Sequence, residues 1–227
     1  MSKKILNLGC GKGQNIPSLL NRGEIYCVDI NEDFVRLAKK KFPTCNYIVS
    51  SAEKLKFESS FFDEIYCFDV LEHVDDLNIV IKNLHQFLKK EGVLFVEVPY
   101  DESENMLLKI RPSYFEEIGH KRIFDHKKLS DYFQGFKITK IEKTRGIVNL
   151  YLWILFKLNI GLSDQMSGIN GINRIISRIV FMFTIWFDKN LFNTFLKYVP
   201  IWIITIPLGD LISSYFPKTV FITLKKQ

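Results

Sequence analysis

The stretch from Ile5 to Gln14 is the part of the chain best suited to bind a nucleotide-like ligand. It reads Ile-Leu-Asn-Leu-Gly-Cys-Gly-Lys-Gly-Gln, so strand-forming residues run directly into glycines at 9, 11 and 13. A loop this rich in glycine can adopt positive φ angles, and without Cβ atoms it lets a ligand approach the backbone. Residues 15–21 can begin a helix, whose first N–H groups and dipole would face the same ligand. We therefore predict a strand, a ligand-binding turn and a helix, in that order.

An acidic residue follows at the position that binding of a ribose would require. Residues 25–31, Ile-Tyr-Cys-Val-Asp-Ile-Asn, predict a second strand, and Asp29 near its end lies twenty positions after Gly9. In doubly wound folds, an acid at this place accepts hydrogen bonds from the ribose hydroxyls of a bound nucleotide. Asn31 is well placed to cap a helix that runs to Phe42. The strand–turn–acid arrangement therefore predicts a nucleotide-like cofactor.

Two families share this arrangement, and position 14 distinguishes them. The dinucleotide fingerprint G-x-G-x-x-G requires glycine at 14, where this chain has Gln. The observed G-x-G-x-G, preceded by Asn-Leu and containing Cys10, resembles the first motif of class I S-adenosylmethionine-dependent methyltransferases. Later stretches follow in the order of that family: Ser51-Ala52-Glu53, Phe62-Asp63-Glu64-Ile65 and Leu71-Glu72-His73-Val74. The resemblance covers residues 4–143 and is closest to the small-molecule, type-11-like branch.

The resemblance implies S-adenosylmethionine as cofactor and a set of contacts to it. The glycines of the first motif would let the methionine end approach the backbone, Asp29 would bind the ribose, and the backbone N–H of Ala52 would contact the adenine. The full set implied is Gly9, Cys10, Gly11, Gly13, Asp29, Ile30, Ser51, Ala52, Glu53 and Asp69, with Asp69 in the pocket wall. The chain departs from the family at Ser51 and Asn7, where family members commonly have an acid.

Two histidines are candidates for the base that removes the proton of the methyl acceptor. His120 lies in residues 101–122, a polar stretch that we interpret as an irregular substrate-side lid, and Gly119–Asp125 resembles a signature that precedes the next helix in the family. His73 is the second candidate, although a capping role is open for it. Glu72 with both histidines could bind a divalent cation, but only one His and one Glu lie on the same turn. We predict no metal.

These residues must be positioned by a sheet, and the remaining strand patterns supply it. Further strands are predicted at 46–49, 61–68, 93–98, 136–144 and 219–224, with a helix from Asp75 or Asp76 that Glu91-Gly92 ends and another at 127–133. The predicted fold is an α/β, doubly wound, Rossmann-like sheet of seven strands, six parallel and the last antiparallel. We divide the chain into a cofactor-binding core at 1–146, a hydrophobic helical insertion at 147–217 between strands six and seven, and the final strand at 218–227.

The predicted insertion is unusually apolar. Its three apolar runs, 147–156, 179–187 and 198–209, are each shorter than the ~20 residues that a spanning helix requires. From residue 147 to the end, the chain has eight Lys or Arg against three Asp or Glu, a net charge of +5, and all three Trp. Such runs with cationic and aromatic flanks are typical of helices that lie in a membrane interface. A cover for an apolar substrate and an ordinary second core are open alternatives.

The charge distribution and the cysteine content limit the partners and the cellular compartment that we expect for this protein. The basic residues of the insertion are scattered among bulky aliphatics, so nucleic acid is not expected as a partner. The four cysteines form no C-x-x-C pair and are expected to be free thiols in a reducing compartment. We predict a cytoplasmic protein, peripheral on the inner face of the membrane, that methylates a small or lipid-linked acceptor: an isoprenoid, a quinone precursor or a lipid-carried sugar. The alternatives are a nicotinamide-dependent oxidoreductase and an inactive membrane-associated protein that binds the cofactor.

Overall fold

The computed structural model describes residues 2–144 and 219–227, and the predicted insertion lies outside them. In chain order the strands are β1 Lys3–Leu8, β2 Gly23–Asp29, β3 Asn46–Val49, β4 Phe62–Phe68, β5 Leu88–Pro99, β6 Phe136–Thr144 and β7 Thr219–Lys226. The helices are α1 Glu32–Lys41, α2 Leu77–Phe87, α3 Asp101–Ile110, α4 Tyr114–Ile118 and α5 Leu129–Tyr132. Short 3₁₀ helices lie at Ile16–Ser18 and Ala52–Lys54.

The seven strands form one sheet in the order β3-β2-β1-β4-β5-β7-β6. β1 pairs in parallel with β2 and β4, β2 with β3, and β4 with β5, whereas the last strand, β7, is antiparallel. Residues Ile5–Leu8 are all buried. Because successive strand residues point to opposite faces, this run of burial means that both faces of β1 are covered. The predicted doubly wound sheet of seven strands is confirmed.

The order of the strands brings the candidate cofactor residues to one edge of the sheet. The glycine loop follows β1, Asp29 ends β2, Ser51 follows β3 shortly after its end, and Asp69 follows β4 directly. These four strands are neighbours and run parallel, so their carboxyl ends meet at the same edge. In open α/β sheets, ligands bind at this edge.

Helix α1 forms where the sequence predicts it. The side chain of Asn31 caps the first turn by accepting a hydrogen bond from the N–H of Phe34 at 3.1 Å. Residues Lys39–Lys41 lie in the last turn, where cations interact favourably with the helix dipole. Val35 and Ala38 form the buried side of the helix. Capping and amphipathic pattern thus agree with the observed helix.

Two expectations about where helices begin and end were wrong. Residues 15–21, expected to begin a helix, form only a three-residue 3₁₀ helix around Pro17 before β2 begins, so this segment offers no extended helix dipole. The predicted end of α2 at Glu91-Gly92 was also wrong. The helix ends at Phe87, because Leu88 pairs with Phe62 and so begins β5, which is longer than predicted.

Residues 101–122, expected to be irregular, instead contain the two helices α3 and α4. Asp101 and Glu102 lie in the first turn of α3, where negative charge is favourable. The inward side of α3 carries Ser103 and Glu104 as well as Leu107, and all three are buried. Because two of these inward residues are polar, the helical period of apolar residues is absent from the sequence. This burial of polar groups explains the wrong prediction.

The chain divides into two compact units. One consists of Met1–Val98, Phe124–Glu142 and Phe221–Gln227, and it contains every candidate cofactor residue. The second unit, as far as the structure describes its residues, consists mainly of Pro99–Ile123, and it contains His120. Within 2–144 and 219–227, no helix is long and apolar enough to cross a membrane.

Candidate functional site

The glycine loop after β1 has the backbone that the sequence predicts. Gly9, Gly11 and Gly13 have φ angles of +73°, +51° and +88°, a region that favours glycine. The N–H groups of Gly9 and Cys10 both donate to the carbonyl oxygen of Val28, at 2.8 and 2.9 Å. The loop is therefore fastened to β2 by its own backbone.

Two of the three glycines are required by packing as well as by conformation. A Cβ atom on Gly9 would lie 2.2 Å from Cγ2 of Val70, and one on Gly13 would lie 2.9 Å from the ring of Phe42. At Gly11 the nearest atom to an added Cβ would be Oε1 of Gln14, at 2.9 Å, which is the far end of a flexible side chain. Gly11 is thus the glycine whose neighbour can most easily move away for a ligand.

Asp29 holds the glycine loop to the end of β2. Its Oδ2 accepts a hydrogen bond from the N–H of Gly11 at 2.8 Å, and its Oδ1 accepts from the N–H of Asn31 at 2.9 Å. An ionised carboxylate offers about four lone-pair positions, so two backbone bonds leave capacity for ribose hydroxyls. Ile30, the next residue, is 73% exposed. An exposed isoleucine beside the acid is suited to contact an apolar ligand surface.

The turn after β3 brings the Ser51–Glu53 motif next to Asp29. The N–H of Ser50 donates to the backbone oxygen of Asp29 at 3.0 Å, and Ala52, which begins the 3₁₀ helix, is buried. Oε1 of Glu53 accepts from the N–H of Asp75 at 2.8 Å. Burial alone would raise the pKa of Glu53, but hydrogen bonds from backbone N–H groups and from Ser51 outweigh it, so the pKa is lowered. Glu53 therefore stays ionised and ties this turn to the segment before α2.

Asp69 has a strained backbone at the carboxyl end of β4. Its φ angle is +53°, which is uncommon for a residue other than glycine, and its N–H donates to the carbonyl oxygen of Glu97 at 3.1 Å. The N–H of His73 closes the following turn on the oxygen of Val70 at 3.0 Å. Backbone strain of this kind is concentrated at functional sites.

Asn7 carries a buried side-chain donor close in the chain to the glycine loop. Its side chain is buried in β1, two residues before Gly9, and within the described part of the chain its Nδ2 has no hydrogen-bond partner. A buried amide donor without a partner is costly, so such groups usually serve a bound molecule or water. The positive-φ loop, the Asp29 carboxylate and this donor all fit an adenosine-containing cofactor with a polar methionine end.

His120 belongs to the second unit, and its surroundings are well defined there. Its Nδ1 lies 2.8 Å from Oε2 of Glu104, and its ring packs against those of Tyr114 and Phe115. Sequence reasoning named His120 but missed Glu104, which it placed in an irregular lid. The acidic first turn of α3 was the available signal for a helix at this position. The prediction of no metal stays a prediction.

Comparison with known proteins agrees with this geometry. A family model described as "Methyltransferase domain" matches residues 6–96, which run from β1 into β5 and contain every candidate cofactor residue. Residues 6–96 are a class I methyltransferase domain. The predicted resemblance is confirmed over this segment.

Curated relatives of the methyltransferase domain include enzymes of quinone synthesis. A ubiquinone biosynthesis O-methyltransferase of Coxiella burnetii is 35% identical over 98 residues, covering 41% of this chain and 42% of the relative. Its namesake from Pelagibacter ubique is 32% identical over 98 residues, covering 41% of this chain and 40% of that protein. The match thus spans about two fifths of the length of these relatives.

Solved structures share the fold of the methyltransferase domain. An S-adenosylmethionine-dependent methyltransferase from Methanosarcina mazei has a TM-score of 0.53 at 21% identity, covering 63% of this chain and 84% of that one. The YcgJ protein from Bacillus subtilis has a TM-score of 0.59 at 14% identity, covering 100% and 92% of the two chains. The cyclase SpnF, also at 14% identity, scores 0.59 and covers 99% and 74%. Because a cyclase shares the fold, fold alone does not define the reaction.

Proposed function

We propose that this chain transfers a methyl group from S-adenosylmethionine to a hydroxyl oxygen of a small or lipid-linked acceptor, with a quinone precursor as the leading class. The observation that carries the proposal is the glycine loop fastened to Asp29 at the carboxyl edge of the sheet, within a segment that matches the methyltransferase model. When bound, the cofactor supplies a methyl group already activated by its sulfonium. The protein then has to align the acceptor and accept its proton.

The cofactor contacts follow from the residues at the sheet edge. The positive-φ turn at Gly9, Gly11 and Gly13 lets the methionine end approach the backbone, and the donor Nδ2 of Asn7 faces no competing partner in the described chain. The remaining lone pairs of Asp29 accept the ribose hydroxyls. Further contacts come from the apolar surface of Ile30, the backbone of Ala52 beside the adenine, and the pocket walls, assigned to Cys10, Ser51, Glu53 and Asp69.

An oxygen acceptor is supported by the relatives, and it requires a base. The curated relatives are named as O-methyltransferases of ubiquinone biosynthesis. A phenolic hydroxyl has a pKa of about 10, so at neutral pH its proton must be removed as the methyl group arrives. His120 is our first candidate for that base, and His73 is the second. A lipid-carried sugar and other isoprenoids are further members of the same acceptor class.

Association with the inner face of a membrane is the second part of the proposal. Its support is the sequence of residues 147–217, with three apolar runs too short to span, cationic flanks and all of the tryptophans. An anionic lipid surface attracts such a segment. Peripheral attachment would bring the enzyme to an acceptor that resides in the bilayer.

The two alternative functions differ in their support. A nicotinamide-dependent oxidoreductase is disfavoured by Gln14 and by the match of residues 6–96 to a methyltransferase model. The second alternative, an inactive protein that binds the cofactor, would require the same residues at the edge of the sheet. The cyclase SpnF illustrates that this fold is not restricted to methyl transfer. Turnover is therefore the property to measure.

The deciding experiment uses the full-length chain with tritiated S-adenosylmethionine and a total lipid extract of cells that lack the gene. Transfer of label into the organic phase, abolished in the Asp29→Ala variant, would support the proposal. Mass spectrometry of the labelled product identifies the acceptor and the methylated atom. Cofactor binding by calorimetry with no labelled product in lipid, glycan or soluble fractions would favour the inactive alternative.

A further inference from the structure

We infer that Glu104 is a positioning residue that fixes the side-chain proton of His120 on Nδ1. Oε2 of Glu104 and Nδ1 of His120 are 2.8 Å apart, and the two side chains are 0% and 7% exposed. With Glu104 ionised, its carboxylate only accepts hydrogen bonds, so the ring of His120 donates from Nδ1. In the neutral imidazole the basic lone pair is then on Nε2. The catalytic part of this inference rests on the proposed function.

The local backbone holds the ring of His120 in place. Helix α4 ends at Ile118, and the φ angle of +72° at the next residue, Gly119, turns the chain. The N–H of His120 then donates to the carbonyl oxygen of Phe115 at 3.0 Å. The rings of Phe115 and Tyr114 pack edge-on against the imidazole, with centroids 5.5 and 6.1 Å away. The ring therefore has little freedom to turn and exchange its nitrogens.

Glu104 is itself held from a second side. The hydroxyl of Tyr114 donates to its Oε1 at 3.4 Å, while Oε2 is directed to His120. A buried carboxylate is costly unless it is hydrogen-bonded. An apolar residue at position 104 of α3 would avoid that cost. The buried acid is thus better explained by what it does to His120 than by its contribution to folding.

The consequence for methyl transfer is a defined route for the proton. With cofactor and acceptor bound, the acceptor oxygen would take the methyl group as the bond from that methyl to the sulfonium breaks and a neutral thioether leaves. The acceptor's O–H proton would pass to Nε2 of His120. The ring becomes an imidazolium, and the adjacent carboxylate of Glu104 stabilises that positive charge. The proton then leaves to water. Glu104 touches neither cofactor nor acceptor in this scheme, and it acts only through His120.

The proton can be located directly in the full-length protein by nitrogen-15 NMR of labelled histidines. In the wild type, we expect the His120 resonances to place the proton of the neutral form on Nδ1. In Glu104→Gln, the amide oxygen accepts from Tyr114 and the amide N–H faces the ring, so the proton should move to Nε2. Glu104→Asp keeps the charge and should keep the Nδ1 proton. A wild-type ring protonated only on Nε2 would overturn the inference without any variant.

A kinetic measurement separates positioning from mere support of the fold. With 3,4-dihydroxybenzoate as the probe acceptor, Glu104→Gln should lower kcat by about 10²-fold and leave the affinity for S-adenosylmethionine unchanged, whereas Glu104→Asp should recover part of kcat. A shifted proton with unchanged kcat would overturn the positioning role while leaving methyl transfer intact. If the wild type methylates no acceptor at all, the proposed function fails, and the NMR result still decides where the proton lies.

Discussion

The backbone N–H of Gly11 donates a 2.8 Å hydrogen bond to Oδ2 of Asp29, and Oδ1 of the same carboxylate accepts from Asn31 at 2.9 Å. One side chain thus links the glycine loop after β1 to the residue that caps α1. Asp29 orders the loop before any ligand arrives, in addition to its proposed contact with the ribose. Loss of this acid should therefore weaken the cofactor site through both effects.

We expect Asp29→Asn to weaken binding of S-adenosylmethionine by roughly 10- to 100-fold. Hydrogen bonds to a charged acceptor contribute about 1.5–3 kcal/mol, and the amide retains only part of them. Titration calorimetry with the full-length protein measures the effect. Asp33→Asn is the matched control. Asp33 is exposed on α1, and in the described part of the chain it forms an ion pair with the exposed side chain of Arg36. Equal affinities in wild type and Asp29→Asn would move the ribose contact to another residue.

Gly9→Ala should destabilise the protein, because the new Cβ would lie 2.2 Å from Cγ2 of Val70 and φ would remain positive. Overpacking typically costs about 1–3 kcal/mol. Urea unfolding at neutral pH measures the loss. Val70→Ala removes the clashing methyl groups. The loss of unfolding free energy in the double variant should therefore be smaller than the sum of the losses in the two single variants. Simple additivity would show that backbone strain at Gly9, and not contact with Val70, excludes a side chain.

Glu64 should make stability depend on pH. Its buried carboxylate contacts Lys3 at 2.7 Å, Arg22 at 2.9 Å and the hydroxyl of Tyr66 at 2.8 Å. Burial alone would raise the pKa of Glu64, but these partners outweigh it and lower the pKa. The stabilisation is therefore complete above the unfolded pKa of about 4.3 and is lost as pH falls through the lower folded value.

We accordingly expect Glu64→Gln to lose about 1–3 kcal/mol at pH 7 and to approach the wild type at pH 3. The loss is moderate because Lys3 and Arg22 are 57% and 44% exposed and regain water. Urea unfolding of both proteins across this range gives the difference directly. A gap between the two proteins that widens as the solution becomes more acidic would contradict the assigned direction of the pKa.

His120→Gln should abolish turnover and preserve the affinity for the cofactor. Glutamine keeps an N–H donor for Glu104 but has no basic nitrogen, so kcat should fall by about 10²- to 10⁴-fold. Labelled methyl transfer to lipid extract measures turnover, and calorimetry measures binding. His126→Gln, a change in a neighbouring histidine with no assigned role, should behave as the wild type. If turnover and cofactor affinity fall together in His120→Gln, then His73→Gln becomes the next variant to measure.

The full-length protein should float with vesicles that contain anionic lipid. Basic residues near an anionic surface contribute about 1 kcal/mol each, so part of the binding should be lost at high salt, whereas the apolar part should yield only to detergent. Neutral vesicles of the same size are the control. A chain that stays at the bottom of the gradient and is monodisperse without detergent would indicate that residues 147–217 do not bind membrane, and the lipid-linked acceptor would lose its main support.

The sequence by itself determined the elements that depend on neighbouring residues. The β1 strand, the glycine turn, the acid at the end of β2 and the Asn31 cap are set by local patterns, because backbone conformation, capping and burial of a parallel strand involve residues close in the chain. The order of these motifs was sufficient to predict the seven-stranded sheet and the methyltransferase family. The role of each site residue remained a prediction at that level.

Only the tertiary structure decided which side chains hold one another. Gly9 excludes a side chain because Val70, from the turn after β4, lies against it, and Glu104 meets His120 because α3 and α4 fold onto each other. Such pairs leave no periodic trace in the sequence, since a contact between distant residues depends on the packing of whole elements. The polar inward side of α3 even removed the usual apolar pattern, and for that reason Glu104 could be recognised only in three dimensions.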